Sequence, residues 1–213
     1  MPQRSMSAKA WGSLTASRPK RDFRFCEQTH TYTLDGEVIP SVTHIIRFLD
    51  VDVDKSRPWM RDAAAQRGSI VHEATALIDY DEPDVLENVP SECQGYVNAY
   101  LAFLRDYSPE WEIIERPMWS AYGSSAFAGT VDRYGMVKGR KLILDIKTGT
   151  SSAKARHSAQ LTGYWLLLDC PDCDYAILYL RKDGSYKLQM HEHSLELWDA
   201  CFTLNNALGG KSK

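Results

Sequence analysis

Long apolar runs are missing from this chain of 213 residues. A membrane helix needs about 18 or more consecutive apolar residues, and the best run, Tyr164 to Leu168, is far shorter. The N-terminus also lacks the apolar stretch of a secretory signal. Charge of one sign is missing too. The 25 Lys and Arg residues nearly balance 28 Asp and Glu, for a net charge of −3, which is too even for a disordered acidic or basic protein. Cysteines are few and odd in number: Cys26, Cys93, Cys170, Cys173 and Cys201. That count argues against a disulfide framework and for a reducing compartment. What remains is the expectation of a soluble, cytoplasmic, globular protein, long enough for one domain with a real core.

Acidic residues are absent from positions 1–21, which carry Arg4, Lys9, Arg18, Lys20 and Arg21. Removing these five positive charges takes the net charge from −3 to −8. Three readings stay open for this segment. It is a flexible basic arm that touches nucleic acid, a transit peptide that would send the chain to an organellar matrix, or a plain disordered terminus. The folded domain is expected over residues 22–208, with 209–213 as a tail.

The stretch from His30 to Ile39 alternates around Asp35-Gly36, which predicts a β-hairpin. Ser41 is placed to cap a short helix over 42–49. Pro58 opens a longer helix, whose apolar stripe is Ile70, Val71, Ala74, Leu77 and Ile78. Ser91 is expected to cap a third helix that buries Val97, Tyr100, Leu101 and Leu104. The period then changes. Residues 111–118, 127–137 and 141–146 read as strands, the last two joined by a turn at Lys138-Gly139-Arg140. A helix over 158–168, strands at 175–180 and 186–192 around Asp183-Gly184, and a helix over 195–208 complete the order. This order predicts an α/β layer architecture around one mixed sheet.

Chemistry concentrates in Gly129-Thr-Val-Asp132 and Asp145-Ile-Lys147. A period of two puts Asp145 and Lys147 on one face of their strand. If the strands pair through the 138–140 turn, Asp132 approaches that face. Charged groups ending an apolar strand cost free energy unless they pair or hold a metal. Two converging carboxylates suit Mg²⁺ or Mn²⁺, and an adjacent lysine can prepare a water for attack on a phosphodiester. A plain salt bridge from Lys147 to either aspartate accounts for the same spacing. Gln160 and Tyr164 lie one turn apart on the following helix. His72 lies beside the apolar stripe of the second helix, four residues after Gly68.

The order Gly68…His72, Gly129…Asp132, Asp145-Ile-Lys147, Gln160-x-x-x-Tyr164 resembles the PD-(D/E)XK nuclease superfamily, in its RecB-like exonuclease branch. The opening His30-x-Tyr32…Asp35-Gly36…Ser41-Val42-Thr43 is similar to the start of stand-alone phage members. The resemblance spans about 23–208 and implies a restriction-endonuclease-like fold. It implies His72, Asp132, Asp145 and the carbonyl of Ile146 as metal ligands, with Glu115 at a position often acidic in this branch. Lys147 becomes the catalytic lysine, and Gln160 and Tyr164 brace the site or the DNA. The implied cofactor is Mg²⁺ or Mn²⁺, as a two-metal site.

Some relatives hold an iron–sulfur cluster through one early cysteine and a tight late triplet. Cys170, Cys173 and Cys201 are not spaced in that way, so no cluster is expected. Cys170-Pro-Asp-Cys173 has no second pair to complete a zinc site, which leaves buried thiols as the expectation. His191 and His193 share a strand face with nothing to join them. Neither glycine run, Gly123-Ser124-Ser125 or Gly209-Gly210, has the complete pattern of a phosphate-binding loop. The chain would therefore either work alone or borrow a motor from a partner such as a helicase, with a recombinase or single-strand annealing protein as other candidate partners. Arg61, Arg67, Arg133, Lys154 and Arg156 are the expected DNA contacts. The function expected is metal-dependent hydrolysis of DNA from a free end, in phage or bacterial recombination, repair or degradation. The alternatives are a structure-selective or CRISPR-adaptation-type endonuclease and a DNA-binding module without turnover.

Overall fold

A computed structural model describes residues 21–49, 58–149 and 154–210, apart from the side chains of Pro58 and Arg61. Nearly all of the basic N-terminal arm and the last three residues lie outside that set. Strands β1 (Phe23–Cys26), β2 (Thr31–Leu34) and β3 (Glu37–Ile39) form a small antiparallel sheet. Asp35 and Gly36 join the last two, both at positive φ (52° and 84°). That is the two-residue turn which matches strand twist and which Asp-Gly favours. Ser41 Oγ accepts the His44 N–H at 3.0 Å and caps α1 (Val42–Ile45), which tightens into a 3₁₀ turn over Ile46–Leu49.

Helix α2 (Pro58–Asp79) is followed by α3 (Val85–Asn88), which the sequence did not announce, and by α4 (Ser91–Tyr107). Two expectations change here. Of the α2 stripe, Val71 and Ala74 are buried but Leu77 is 37% exposed. Pro90, rather than Ser91, occupies the cap position of α4, with no side-chain capping bond. Its buried residues are Cys93, Val97, Ala99, Tyr100 and Phe103, while Leu101 and Leu104 stay half-buried.

The main sheet has the order β4 (Glu110–Tyr122), β5 (Ser125–Val137), β6 (Arg140–Lys147), β7 (Asp174–Leu180) and β8 (Tyr186–His191). Only β6 and β7 run parallel. A parallel pair needs a crossover, and α5 (Lys154–Leu168) supplies it. Helix α6 (Leu195–Ala207) ends the fold, with Ser194 Oγ accepting the Leu197 N–H. Alternation along β6 divides the core. Ile143 joins Val42, Leu161, Tyr164 and Trp198 on the face covered by α1, α5 and α6. Leu142, Leu144 and Ile146 join Val71, Val97, Tyr100 and Phe103 under α2 and α4. The chain is thus a single α/β domain with a mixed central sheet between two helical layers. No helix among the described residues is long and apolar enough to cross a membrane.

Cys170 and Cys173 depart from the expectation of buried thiols and form a disulfide. Helix α5 stops at Leu168, Asp169 takes φ 50°, and the chain reverses through Pro171-Asp172. That turn brings the two Cα atoms to 6.0 Å. Cys93 and Cys201 are buried free thiols, and Cys26 is exposed.

Gly95 fixes how α4 meets the β7–β8 turn, since a Cβ there would sit 1.8 Å from the Lys182 carbonyl oxygen. Alanine in place of a helical glycine normally stabilises by about 1 kcal/mol. Here the backbone clash reverses the sign. Gly95→Ala is expected to destabilise the fold by about 2 kcal/mol or more, read as a fall in the urea midpoint.

Candidate functional site

Asp145 is wholly buried on β6, and its Oδ2 lies 2.6 Å from Lys147 Nζ, as the period-two spacing predicts. Its Oδ1 accepts a bond from Gln160 Nε2 at 2.7 Å, and the same amide reaches the Tyr164 hydroxyl at 2.8 Å. The one-turn spacing on α5 therefore holds Asp145 still. Across the sheet, Asp132 Oδ2 accepts the Ile146 N–H at 2.8 Å. The β5–β6 register carries this pairing, Arg133 lying opposite Leu144.

His72 comes down from α2 onto the same spot. Its Nδ1 lies 2.9 Å from Glu115 Oε1 and 3.6 Å from Asp132 Oδ2, and its Nε2 lies 3.0 Å from the Ile146 carbonyl. Both ring nitrogens face acceptors, so both carry protons in this arrangement. Burial opposes that charge, yet Asp132 and Glu115 outweigh it and hold the His72 pKa at about 9. Burial likewise pushes the carboxyls of Asp132 and Asp145 up, with His72 and Lys147 respectively pulling each back. Negative charge in this pocket is thus expensive, and a cation relieves it.

One ligand atom from each of His72, Glu115 and Asp132 falls within 4.8 Å of the others. An imidazole nitrogen and carboxylate oxygens, beside the Ile146 carbonyl, make a donor set that a small divalent cation fits. Asp145 is not in this trio; its Oδ2 faces Lys147 and its Oδ1 accepts from Gln160. Beside His72 the surface is open, for a Cβ at Gly68 would meet nothing within 4 Å.

Glu115 reaches the trio through a backbone irregularity. It takes φ 41° in the middle of β4 and interrupts the ladder between Ile114↔Arg133 and Arg116↔Val131. Opposite it, β5 changes parity: Phe127 and Val131 share a core cluster with Tyr134, which simple alternation forbids. A non-glycine residue in this region costs on the order of 1–3 kcal/mol and persists where its surroundings fix it.

Arg133 supplies that fixing, and it corrects the expectation of a DNA contact. Its side chain is fully buried, so it cannot reach a phosphate. Nε donates to Asp79 Oδ2 at 2.6 Å, Nη1 to Glu115 Oε1 at 3.0 Å and to the Asp132 carbonyl at 2.7 Å, and Nη2 to Thr75 Oγ1 at 3.1 Å. Tyr100 donates to the same Asp79 oxygen at 2.6 Å. Sequence reading missed Thr75, Asp79 and Tyr100. The available signal was a threonine and an aspartate at i and i+4, Thr75 and Asp79, on the helix of His72. Tyr32 of the small sheet also reaches this side, its hydroxyl 2.8 Å from Thr130 Oγ1.

The other expected DNA contacts fall less tightly. Arg67 Nε lies 3.4 Å from Thr148 Oγ1, and its guanidinium covers the Tyr96 ring. Lys154 is exposed at the start of α5, and half-buried Arg156 approaches Gln160 Oε1 at 3.5 Å. The Arg61 side chain lies outside the described residues.

No family model and no curated protein matches this chain. Among solved structures, one described as the crystal structure of SSO0001 overlaps it with a TM-score of 0.37. The identity is 15%, over 64% of this chain and 72% of that one. A likeness of that degree carries no function across.

Two measurements test this geometry. Removing the buried Arg133 charge leaves Asp79 uncompensated, so Arg133→Met is expected to cost about 3–5 kcal/mol. Asp79→Asn added to it should restore part of that loss in urea unfolding. The second concerns His157, whose Nδ1 meets the Tyr179 hydroxyl at 3.0 Å. Burial, then nearby Lys147, His191 and Arg156, outweigh Asp145 and lower its pKa from 6.5 to about 4. The unfolded chain takes up this proton first. The stability His157 contributes is therefore complete above about pH 6.5 and is lost as pH falls toward 4. His157→Gln should flatten the fall in melting temperature over that interval.

Proposed function

We propose that this chain is a divalent-metal-dependent deoxyribonuclease that hydrolyses phosphodiesters from a free DNA end. The supporting observation is a juxtaposition. The Lys147–Asp145 ion pair stands beside the His72, Glu115 and Asp132 trio, with the backbone of Ile146 between them. Three strands and one helix deliver these groups to one place. The order of motifs that resembles the RecB-like branch of the PD-(D/E)XK nucleases supports the same reading, with its restriction-endonuclease-like fold.

In this reading His72, Glu115, Asp132 and the Ile146 carbonyl would hold Mg²⁺ or Mn²⁺. When bound, the ion supplies charge neutralisation at the phosphate and a more acidic water. The protein does the rest. Lys147, 29% exposed, presents its ammonium at the mouth of the site, where it orients the attacking water and offsets charge building on the phosphate. Asp145 keeps that ammonium in place, and Gln160 and Tyr164 keep Asp145 in place. Arg133 holds Glu115 beside His72. His72 would have to give up a proton to become a ligand, which would couple metal binding to pH.

Digestion of linear DNA with a single-stranded end, beside covalently closed circles, in Mg²⁺ and in Mn²⁺, tests the proposal. Linear DNA should disappear while circles survive. Asp145→Ala and Lys147→Ala should each slow cleavage by about 10²-fold or more in protein that still unfolds in one cooperative transition, with a lowered melting temperature for Lys147→Ala because buried Asp145 loses its cation. His72→Ala should need more Mn²⁺ for activity. Circles cut as fast as linear DNA would turn the reading to an endonuclease. Binding without any cleavage would turn it to a DNA-binding module, and near-wild-type variants would overturn the site.

A further inference from the structure

Where α5 meets the edge strand β8, the side chains form a polar strip that leads away from Lys147. The register lines it up. Lys147 lies opposite Tyr179, and Tyr179 opposite Lys187 on the edge strand. Two strand spacings of about 4.8 Å each put the two lysine backbones roughly 10 Å apart. From Lys187 the strip continues along one face of β8, as period two requires. Lys187 Nζ donates to Gln189 Oε1 at 3.0 Å, and Gln189 Nε2 lies 3.3 Å from His191 Nε2. Leu188 takes the opposite face, in the core under α4.

Helix α5 supplies the other wall. The His157 ring stands edge-on to that of His191, with centroids 5.6 Å apart. Lys154, one turn earlier and exposed, lies close enough to act on His191. After burial, its charge is the next cause that holds the His191 imidazole below its usual pKa. At the far end, Trp165 and exposed His193 stack at 5.0 Å with 26° between their planes, and Tyr175 approaches His193 at 5.3 Å. Lysines and an imidazole thus run from the candidate site to an aromatic platform. A backbone of phosphates with bases free to stack is the ligand whose chemistry repeats in that order.

We propose that this strip is a binding track for single-stranded nucleic acid, with phosphates on Lys154, Lys187 and His191 and a base on the His193–Trp165 stack. The track rests on the nuclease reading only for its direction, toward Lys147. Its placement between an edge strand and a helix suits a lone strand better than a duplex, because the aromatic end needs an unpaired base.

Binding of fluorescent single-stranded oligonucleotides in EDTA tests the track apart from cleavage. Lys187→Gln should lower the slope of log affinity against log salt by about 0.7, the value of one lost phosphate contact. His193→Ala should weaken binding roughly tenfold and leave the salt slope unchanged, as loss of one stacked base does. Both variants should keep the wild-type melting temperature and the wild-type heat of Mn²⁺ binding, which shows that fold and metal trio are intact. Variants that bind single strands with wild-type affinity and salt slope would overturn the track. So would equal weakening on blunt duplex. Wild-type protein that binds strands along these residues yet cuts nothing would support the track and overturn the nuclease reading, so the two fail separately.

Discussion

A guanidinium buried without water must be neutralised on every side, and Arg133 meets that demand with groups from three directions. Asp79 and Thr75 come from α2, Glu115 from β4, and the Asp132 carbonyl from its own strand. Leaving the buried guanidinium or Asp79 without its charged partner costs several kcal/mol. The constraint therefore locks α2 onto the sheet at one height and one rotation. His72, seven residues before Asp79 on the same helix, is carried into place by that lock. Glu115 is held in its left-handed conformation by the same cation. The candidate ligands are thus consequences of a charge balance one layer behind them.

That arrangement also accounts for the division of labour between two acidic positions. Asp132 stands at the parity change of β5 and faces His72 and the Ile146 amide. Asp145 stands on an undistorted strand and faces Lys147 and Gln160. Two buried carboxylates side by side would repel. Each instead has a cationic partner of its own, which keeps the pair tolerable in the folded protein before any metal arrives.

Much of this was legible in the sequence where local rules operate alone. The Asp35-Gly36 hairpin, the Ser41 cap, the Asp145–Lys147 spacing and the Gln160–Tyr164 turn depend on dihedral preference and period, and they stand where those rules put them. Glu115 was named only through a resemblance, because its geometry depends on a kink that no spacing encodes. Arg133 was misread for the same reason. Period two says which residues share a face but not that a strand changes face between Val131 and Tyr134. Thr75, Asp79 and Tyr100 look like ordinary helix residues until the sheet brings a buried cation to them. The Cys170–Cys173 pairing was missed because an odd cysteine count speaks for a whole framework and not for one tight turn.

The parallel β6–β7 pair, with α5 folded between its strands, has a bearing on how the molecule comes into being. His72 meets Glu115 across 43 residues of chain and Ile146 across 74. Contacts of that span form only after the loops between them have closed, so they come late and together. No short fragment of this sequence can hold the trio in advance of the rest. The candidate site is therefore a property of the assembled sheet and its covering helix, and no one segment of the chain carries it alone.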